Sequence, residues 1–132
     1  MKQEFQPRPN SKSVMNSQAI RTARGSMYVN TEQAQETFLK GKHEQSSNNL
    51  QKALELYIRS TIYDPSYYQA FCNMGSVYRS LGRYSESRSS YLKAIQIKPE
   101  DAISHYNLAN VLRILGNIEE SIKHYEYVIN LK

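Results

Sequence analysis

Residues 68–101 read YQAFCNMGSVYRSLGRYSESRSSYLKAIQIKPED, and residues 102–132 read AISHYNLANVLRILGNIEESIKHYEYVINLK. The two segments keep similar residue types at corresponding places, and a weaker copy precedes them by the same step of 34 residues. The repeated positions are glycine or alanine at 41, 75 and 109, alanine or serine at 53, 87 and 121, tyrosine at 57, 91 and 125, and proline at 65 and 99. A fixed step of this length is typical of stacked helix-turn-helix units.

Apolar residues at helical spacing, separated by breaks, predict six helices arranged as three pairs. Pro65 ends the first pair because a proline pushes the preceding residue out of the helical region. Gly82 and Gly116 stand at the turn inside the second and third pairs, and Asn48 stands there in the first; all three tolerate the left-handed conformation that ends many helices. The helices are expected at about 31–46, 50–63, 67–81, 84–97, 101–115 and 118–131, with Asn30 as the first cap.

The first 29 residues differ in composition from the rest of the chain. They carry five basic side chains against one acidic side chain, and prolines, serines and amides with almost no apolar periodicity. Such a segment has too little apolar surface to fold by itself. We therefore expect a disordered basic arm at 1–29 and a folded, nearly neutral domain at 30–132.

Cysteine content and hydropathy bear on the compartment. Cys72 is the only cysteine, so no disulfide framework exists, which favours a reducing environment. No apolar run approaches the roughly 18 residues of a membrane helix, and the first residues lack the apolar core of a secretory signal. The expected location is cytoplasmic, with the nucleus, the cilium or the cytoskeleton as alternatives, and no membrane partner.

The repeated positions resemble the tetratricopeptide repeat family. A repeat of that family has, in order, a large residue, leucine, a small residue and an aromatic residue, then a small residue, an aromatic residue, alanine and a closing proline. The resemblance implies a right-handed α-solenoid with repeats at about 34–67, 68–101 and 102–132 and no C-terminal capping helix. The repeat that begins at Tyr68 matches throughout, directly or by close substitution, at Phe71, Met74, Gly75, Tyr78, Ser87, Tyr91, Ala94 and Pro99.

In that family, one face of the first helices lines the ligand groove. At the corresponding positions of this chain, the second and third repeats share an asparagine at one repeat position and an arginine at another. The resemblance therefore implies a polar and basic face, which suits an extended peptide of acidic character. An amide side chain can donate to and accept from a peptide backbone at once. The implied groove residues are Asn73, Asn107, Arg79, Arg113, Tyr106, Asn110, Lys42 and Ser76, while Tyr57, Tyr91 and Tyr125 fall in the core.

Two finer comparisons concern the ligand. Residues 68–132 are most similar to the repeat domain of O-linked N-acetylglucosamine transferase, whose asparagine ladder the paired asparagines resemble; the alternative is that both asparagines are simply solvated. Some family members hold chaperone C-termini in a two-carboxylate clamp of two lysines, two asparagines and an arginine. Only Asn73 matches that clamp, which disfavours it, because the five positions here carry Phe38, Lys42, Asn73, Ile103 and Asn107.

Catalytic and metal chemistry have no candidate set of residues. His43, His105 and His124 show no metal-ligand spacing with Cys72, and His105 falls at a core position, where we expect a packed side chain. No glycine-rich phosphate loop occurs, and the basic arm lacks the aromatic residues that stack on nucleic-acid bases. We expect no enzymatic activity, no metal, no cofactor and no nucleic-acid partner.

The sequence therefore predicts a non-catalytic protein-interaction module or scaffold that binds a peptide segment in its groove. One alternative is a substrate-selecting fragment of a larger enzyme, such as a glycosyltransferase. Another is a cytoskeletal or ciliary component anchored by the basic arm. Because repeat arrays generally need a polar cap, we also expect the last helix to present a bare face for self-association or for a longer chain, near Ile122, Ile129 and Leu131.

Overall fold

The computed structural model describes residues 18–22 and 25–131, which contain six α-helices and one two-stranded hairpin. All six helices agree with the predicted bounds to within one residue. The strands are β1 (Gln18–Thr22) and β2 (Gly25–Val29), and the helices are α1 (Thr31–Ser46), α2 (Leu50–Tyr63), α3 (Tyr68–Ser80), α4 (Tyr84–Ile97), α5 (Ala102–Ile114) and α6 (Ile118–Asn130).

The helices form three pairs that stack in chain order. Helix α1 packs against α2, α3 against α4, and α5 against α6. Neighbouring pairs meet where α2 contacts α3 and where α4 contacts α5, and the first helices α3 and α5 also touch. This arrangement confirms the predicted all-α solenoid of three helix-turn-helix units. None of the helices in the described part of the chain is long and apolar enough to cross a bilayer.

Each pair turns at one residue in the left-handed backbone region. The φ angles are 63° at Asn48, 77° at Gly82 and 89° at Gly116. In the second pair, the amide of Arg83 then returns to the carbonyl oxygen of Tyr78 at 2.8 Å, so a carbonyl at the helix end gains a donor. The predicted use of glycine or asparagine at this place is confirmed, and its reason is the backbone conformation.

Small residues lie where the two helices of a pair cross. The Ser87 Oγ donates to the Gly75 carbonyl oxygen at 2.7 Å, and the Ser121 Oγ donates to that of Ala109 at 2.8 Å; both bonds are buried. A bond of this kind contributes about 0.5–1.5 kcal/mol net. Serine is small enough to permit the close approach of the helices, and it also supplies a hydrogen bond. The alanine at position 53, in the first pair, permits the approach but has no hydroxyl to donate.

In the part of the chain that the structure describes, the core consists of two clusters that share Phe71. Tyr57 is completely buried in the cluster between the first two pairs, and Tyr91 and Leu108 are buried in the cluster between the second and third. Tyr125, expected in the core by phase, is only half-buried. The reason for this correction is that no described helix follows α6 to cover it.

The hairpin ahead of α1 was not expected from the sequence. Its strands pair antiparallel, with Gln18 opposite Val29. Both strands lie within 1–29, where the sequence predicts a disordered arm, and the rest of that segment lies outside the described residues. Strand pairing needs only in-register backbone hydrogen bonds, which helical periodicity does not reveal. The hairpin leads into the domain through the amide of Asn30, which donates to the Tyr63 carbonyl oxygen at 2.9 Å.

Candidate functional site

A cavity of about 260 Å³ opens between the first helices of the three pairs. Helices α1 and α3 form most of its lining, and the start of α5 closes one side. The structure thereby brings two predicted groove residues, Lys42 and Asn73, to one place. The lining residues are Phe38, Lys42, Tyr68, Gln69, Cys72, Asn73, Asp101 and Ile103.

A chain of hydrogen bonds crosses from the first pair to the second beside this cavity. The Asn73 Nδ2 donates to the Tyr57 Oη at 3.2 Å, and the Tyr57 hydroxyl donates to the Gln45 Oε1 at 2.6 Å. The Gln45 Nε2 then donates to the Ser76 Oγ at 3.2 Å. Burial raises the pKa of Tyr57, which keeps the hydroxyl protonated as a donor. The chain of bonds holds two predicted groove residues, Asn73 and Ser76, in defined orientations.

The corresponding place between the second and third pairs is arranged differently. Asn107, one repeat after Asn73, lies near the Cys72 thiol and, after Ser104, opposes the rise that burial causes in the pKa of that thiol. The Tyr91 side chain is 1% exposed, and none of the residues 25–131 forms a hydrogen bond with its hydroxyl. Burial raises the pKa of Cys72 and of Tyr91. Both groups therefore stay protonated near neutral pH, and neither is an activated nucleophile.

In the third pair the tyrosine hydroxyl again contacts groove residues. The Tyr125 hydroxyl donates to the Asn110 Oδ1, and the Arg113 Nε donates to the Tyr125 Oη at 3.5 Å. The ring of Tyr106 stands edge-on to that of Tyr125, with centroids 5.9 Å apart. Arg79, the equivalent of Arg113 in the second pair, is exposed. Two positive charges thus lie at the same repeat position on the first helices of the second and third pairs.

The predicted groove residues all lie on first helices, and their role in binding stays a prediction. Sequence reasoning assigned Tyr57 and Tyr125 to the core and missed that their hydroxyls reach groove amides. The available signal was the repeated choice of tyrosine where phenylalanine would fill the same space. Asp101 was also missed, because it lies one residue before the first position of its repeat. Its carboxylate accepts from the Ser104 amide at 3.0 Å and caps α5.

A histidine pair links α5 to α6. His105 Nδ1 lies 2.9 Å from His124 Nδ1, and His105 Nε2 lies 2.7 Å from the Pro99 carbonyl oxygen. Tyr127 donates to the same carbonyl at 3.1 Å. Because a carbonyl only accepts, His105 carries its hydrogen on Nε2 and accepts from His124 at Nδ1. His105 is 7% exposed, which confirms the expected packed histidine, and the described residues contain no group of three or more metal-ligating side chains.

Two further apolar surfaces lie apart from the predicted groove residues. A depression of about 570 Å³ between α1 and α2 is lined by Leu39 and Leu56 together with charged side chains. On α6, Ile122 is 48% exposed and Ile129 is 67% exposed, as expected for a bare face, whereas Leu131 is half-buried.

Comparison with known sequences identifies the repeats. Residues 75–113 match a family described as TPR repeat, and residues 102–132 match one described as Tetratricopeptide repeat. Superkiller complex protein 3 of Mus musculus is 30% identical over 92 residues, which are 70% of this chain and 5% of the relative. Protein O-mannosyl-transferase TMTC1 of Mus musculus is 32% identical over 83 residues, 63% of this chain and 9% of the relative. The chain thus spans under a tenth of either relative.

Comparison with solved structures supports the same architecture. The second TPR of Spaghetti (RPAP3), bound to the HSP90 peptide SRMEEVD, superposes with a TM-score of 0.75 and 20% identity, covering 78% of this chain and 95% of that one. The crystal structure of MamA gives a TM-score of 0.71 and 22% identity, with 75% of this chain and 58% of that chain covered. At these identities the likeness concerns the fold alone.

Proposed function

The chain carries tetratricopeptide repeats at residues 75–132, and from this premise we propose that it is a non-catalytic interaction module that holds an extended, acidic peptide segment in the groove of its first helices. The observation that carries the proposal is the hydrogen-bonded chain from Asn73 through Tyr57 and Gln45 to Ser76. It holds polar side chains in place beside the cavity that Asn73 lines, before any ligand arrives. Preorganised groups of this kind lower the entropic cost of binding.

The charge of the groove supports the acidic character of the ligand. Lys42, Arg79 and Arg113 are exposed along the first helices. Among the described residues that line the cavity, the acidic one is Asp101, which caps α5 and so has backbone and hydroxyl donors of its own. An acidic segment would therefore meet three cations whose long side chains can adjust to it.

The expected affinity is modest. A net hydrogen bond contributes about 0.5–1.5 kcal/mol, so two asparagines supply about 1–3 kcal/mol. A dissociation constant of about 1 μM requires roughly 8 kcal/mol. Charge pairing and apolar contacts must supply the remainder, and we expect binding near or weaker than micromolar. That a chaperone clamp is disfavoured stays a prediction from the residues at its five positions, while the superposed Spaghetti repeats carry an HSP90 peptide.

The proposal is tested by quantitative affinity capture with wild-type protein and R79A/R113A. The matched control is K93A/K123A, which removes the same charge from exposed positions on second helices. Proteins that depend on the groove should be lost with R79A/R113A and retained with the control. An identical set captured by all three proteins would refute groove binding.

A second candidate function is substrate selection within a larger enzyme. It is supported by the 32% identity to Protein O-mannosyl-transferase TMTC1, of which the matched residues are a small part. An antibody raised against residues 31–131 would decide it by immunoblot: a polypeptide several times longer than 132 residues supports an enzyme fragment, and a band of about 15.3 kDa opposes it. Anchoring to a filament through the basic arm stays a prediction, testable by salt-sensitive co-sedimentation that is lost on deleting 1–29.

A further inference from the structure

The cavity between the first helices coincides with the place where a carboxylate clamp would lie. Four of the five clamp positions, Phe38, Lys42, Asn73 and Ile103, line this cavity. At two of them, Phe38 and Ile103, the clamp pattern has lysine. The place where the clamp would hold a carboxylate between cations is therefore lined by apolar side chains.

The walls of the cavity are formed by side chains with different freedom. Phe38 is 8% exposed and packs against Tyr57 and Tyr67, with ring centroids 5.7 and 5.3 Å away. Cys72 is 9% exposed. Ile103 is 64% exposed, although it lines the cavity from α5. A firm apolar floor thus faces an apolar side chain that has no covering partner.

The charges lie at the edges of this surface. The Lys42 Nζ sits 5.7 Å from the centroid of the Phe38 ring, a cation–π arrangement that places the ammonium above the apolar floor. On the opposite side, the Asp101 carboxylate accepts from the amide and the hydroxyl of Ser104 at 3.0 and 2.7 Å. Among the described residues that line the cavity, the cation is therefore Lys42, and the carboxylate is already engaged at the start of α5.

We propose that this cavity is an anchor pocket for one bulky apolar side chain of the partner, leucine, methionine or phenylalanine, with an aspartate or glutamate next to it in the partner pairing with Lys42. The inference rests on the proposed function and deepens it, since it names the ligand chemistry of the groove. The volume of about 260 Å³ falls just below the range of about 300–1,000 Å³ typical of small-molecule sites. That size suits a side chain presented by a peptide.

The pocket is tested with a random heptapeptide library displayed on phage. It is selected in parallel on wild-type protein, on Ile103→Lys and on Ile62→Lys. Ile62 is the matched control because it is 66% exposed and lies on a second helix. We expect the peptides enriched on wild type and on Ile62→Lys to share a bulky apolar residue beside an acidic one, and those enriched on Ile103→Lys to lack this preference.

One enriched peptide is then synthesised and titrated by fluorescence anisotropy. Replacing its apolar residue by alanine should weaken binding about tenfold or more, as expected for losing burial of one large apolar side chain. Ile103→Lys should weaken it similarly, and Ile62→Lys should not. Equal affinity of the enriched peptide and its alanine variant, or no effect of Ile103→Lys, would overturn the proposed pocket. If R79A/R113A still weakened binding in that case, the proposal that the groove binds a peptide would be retained. A peptide insensitive to all groove variants, or no enrichment, would overturn both.

Discussion

The ring of Tyr91 lies so close to Gly75 that a Cβ on residue 75 would meet its Cε1 and Cζ atoms at 2.7 Å. Tyr57 stands against Gly41 in the same way, also at 2.7 Å. The 34-residue step therefore repeats a pair of contacting residues, a glycine and the tyrosine that fills the space a side chain would take.

This contact predicts that Gly75→Ala is destabilising. Overpacking costs about 1–3 kcal/mol, and the better helix propensity of alanine offsets about 0.5–1 kcal/mol, so we expect a net loss of about 1 kcal/mol in urea unfolding. In a Tyr91→Leu background the added methyl should cost little, because the ring is gone. An equal loss in both backgrounds would show that the ring is not the cause.

The tyrosine hydroxyls should differ in their contribution to stability. Tyr57→Phe removes a hydroxyl that bonds Gln45 and Asn73, so the free energy of unfolding should fall by about 0.5–1.5 kcal/mol. Tyr91→Phe is the matched control: it removes a buried hydroxyl for which residues 25–131 offer no hydrogen-bond partner. It should be neutral or stabilising, because an unpaired buried polar group carries a desolvation cost. Urea denaturation of both variants measures the difference, and a larger loss for Tyr91→Phe would contradict it.

Acid should weaken the contact between α5 and α6. Burial, and secondly His105, lower the pKa of His124, and Glu120 opposes this. A histidine with a lowered folded-state pKa binds fewer protons folded than unfolded, so its stability contribution is complete above the unfolded pKa of about 6.5 and is lost as pH falls below it. The melting temperature should therefore drop more between pH 7.5 and 5.5 in wild type than in His124→Gln.

The control for this titration is His43→Gln, because His43 is exposed on α1. Its acid-dependent drop in melting temperature should equal that of wild type. If His124→Gln and wild type lose the same amount, the histidine pair does not cause the pH dependence.

Restoring clamp residues should create affinity for a chaperone-type peptide. The double variant I103K/N107R places lysine and arginine at two clamp positions, and each charge-assisted hydrogen bond contributes about 1.5–3 kcal/mol. We expect the peptide SRMEEVD, the HSP90 peptide held by the Spaghetti repeats, to bind at least about tenfold more tightly than to wild type by calorimetry. I62K/N130R adds the same charge at exposed positions outside the groove, and an equal gain there would indicate general charge attraction.

The bare face of α6 should support concentration-dependent association. Ile122 and Ile129 are exposed, and burying each in a partner interface would contribute about 1.5–3 kcal/mol. I122E/I129E should therefore lower the apparent mass in sedimentation equilibrium at high protein concentration. A wild-type chain of residues 1–132 that stays monomeric throughout would contradict this prediction.

Most of the fold was predictable because its signals are local. Pro65, Gly82 and Gly116 mark helix ends through their own backbone preferences, and apolar spacing along one helix reports which face is buried. The strands β1 and β2 were missed because their pairing leaves no such periodicity. For the candidate site, the sequence predicted only which helix face it lies on. Asn73 and Asn107 occupy the same position of successive repeats, so the sequence could not distinguish their surroundings.

The sequence by itself determined the three helix pairs, their turns and the small residues at their crossings, since these depend on spacing along the chain. Only the tertiary structure decided that Asn73 bonds the Tyr57 hydroxyl while Asn107 lies near the Cys72 thiol. It also decided that Phe38 and Ile103, far apart in sequence, wall one cavity. The physical reason is that such contacts depend on how one pair of helices stacks on the next, a geometry that the chain reaches through many side chains acting together.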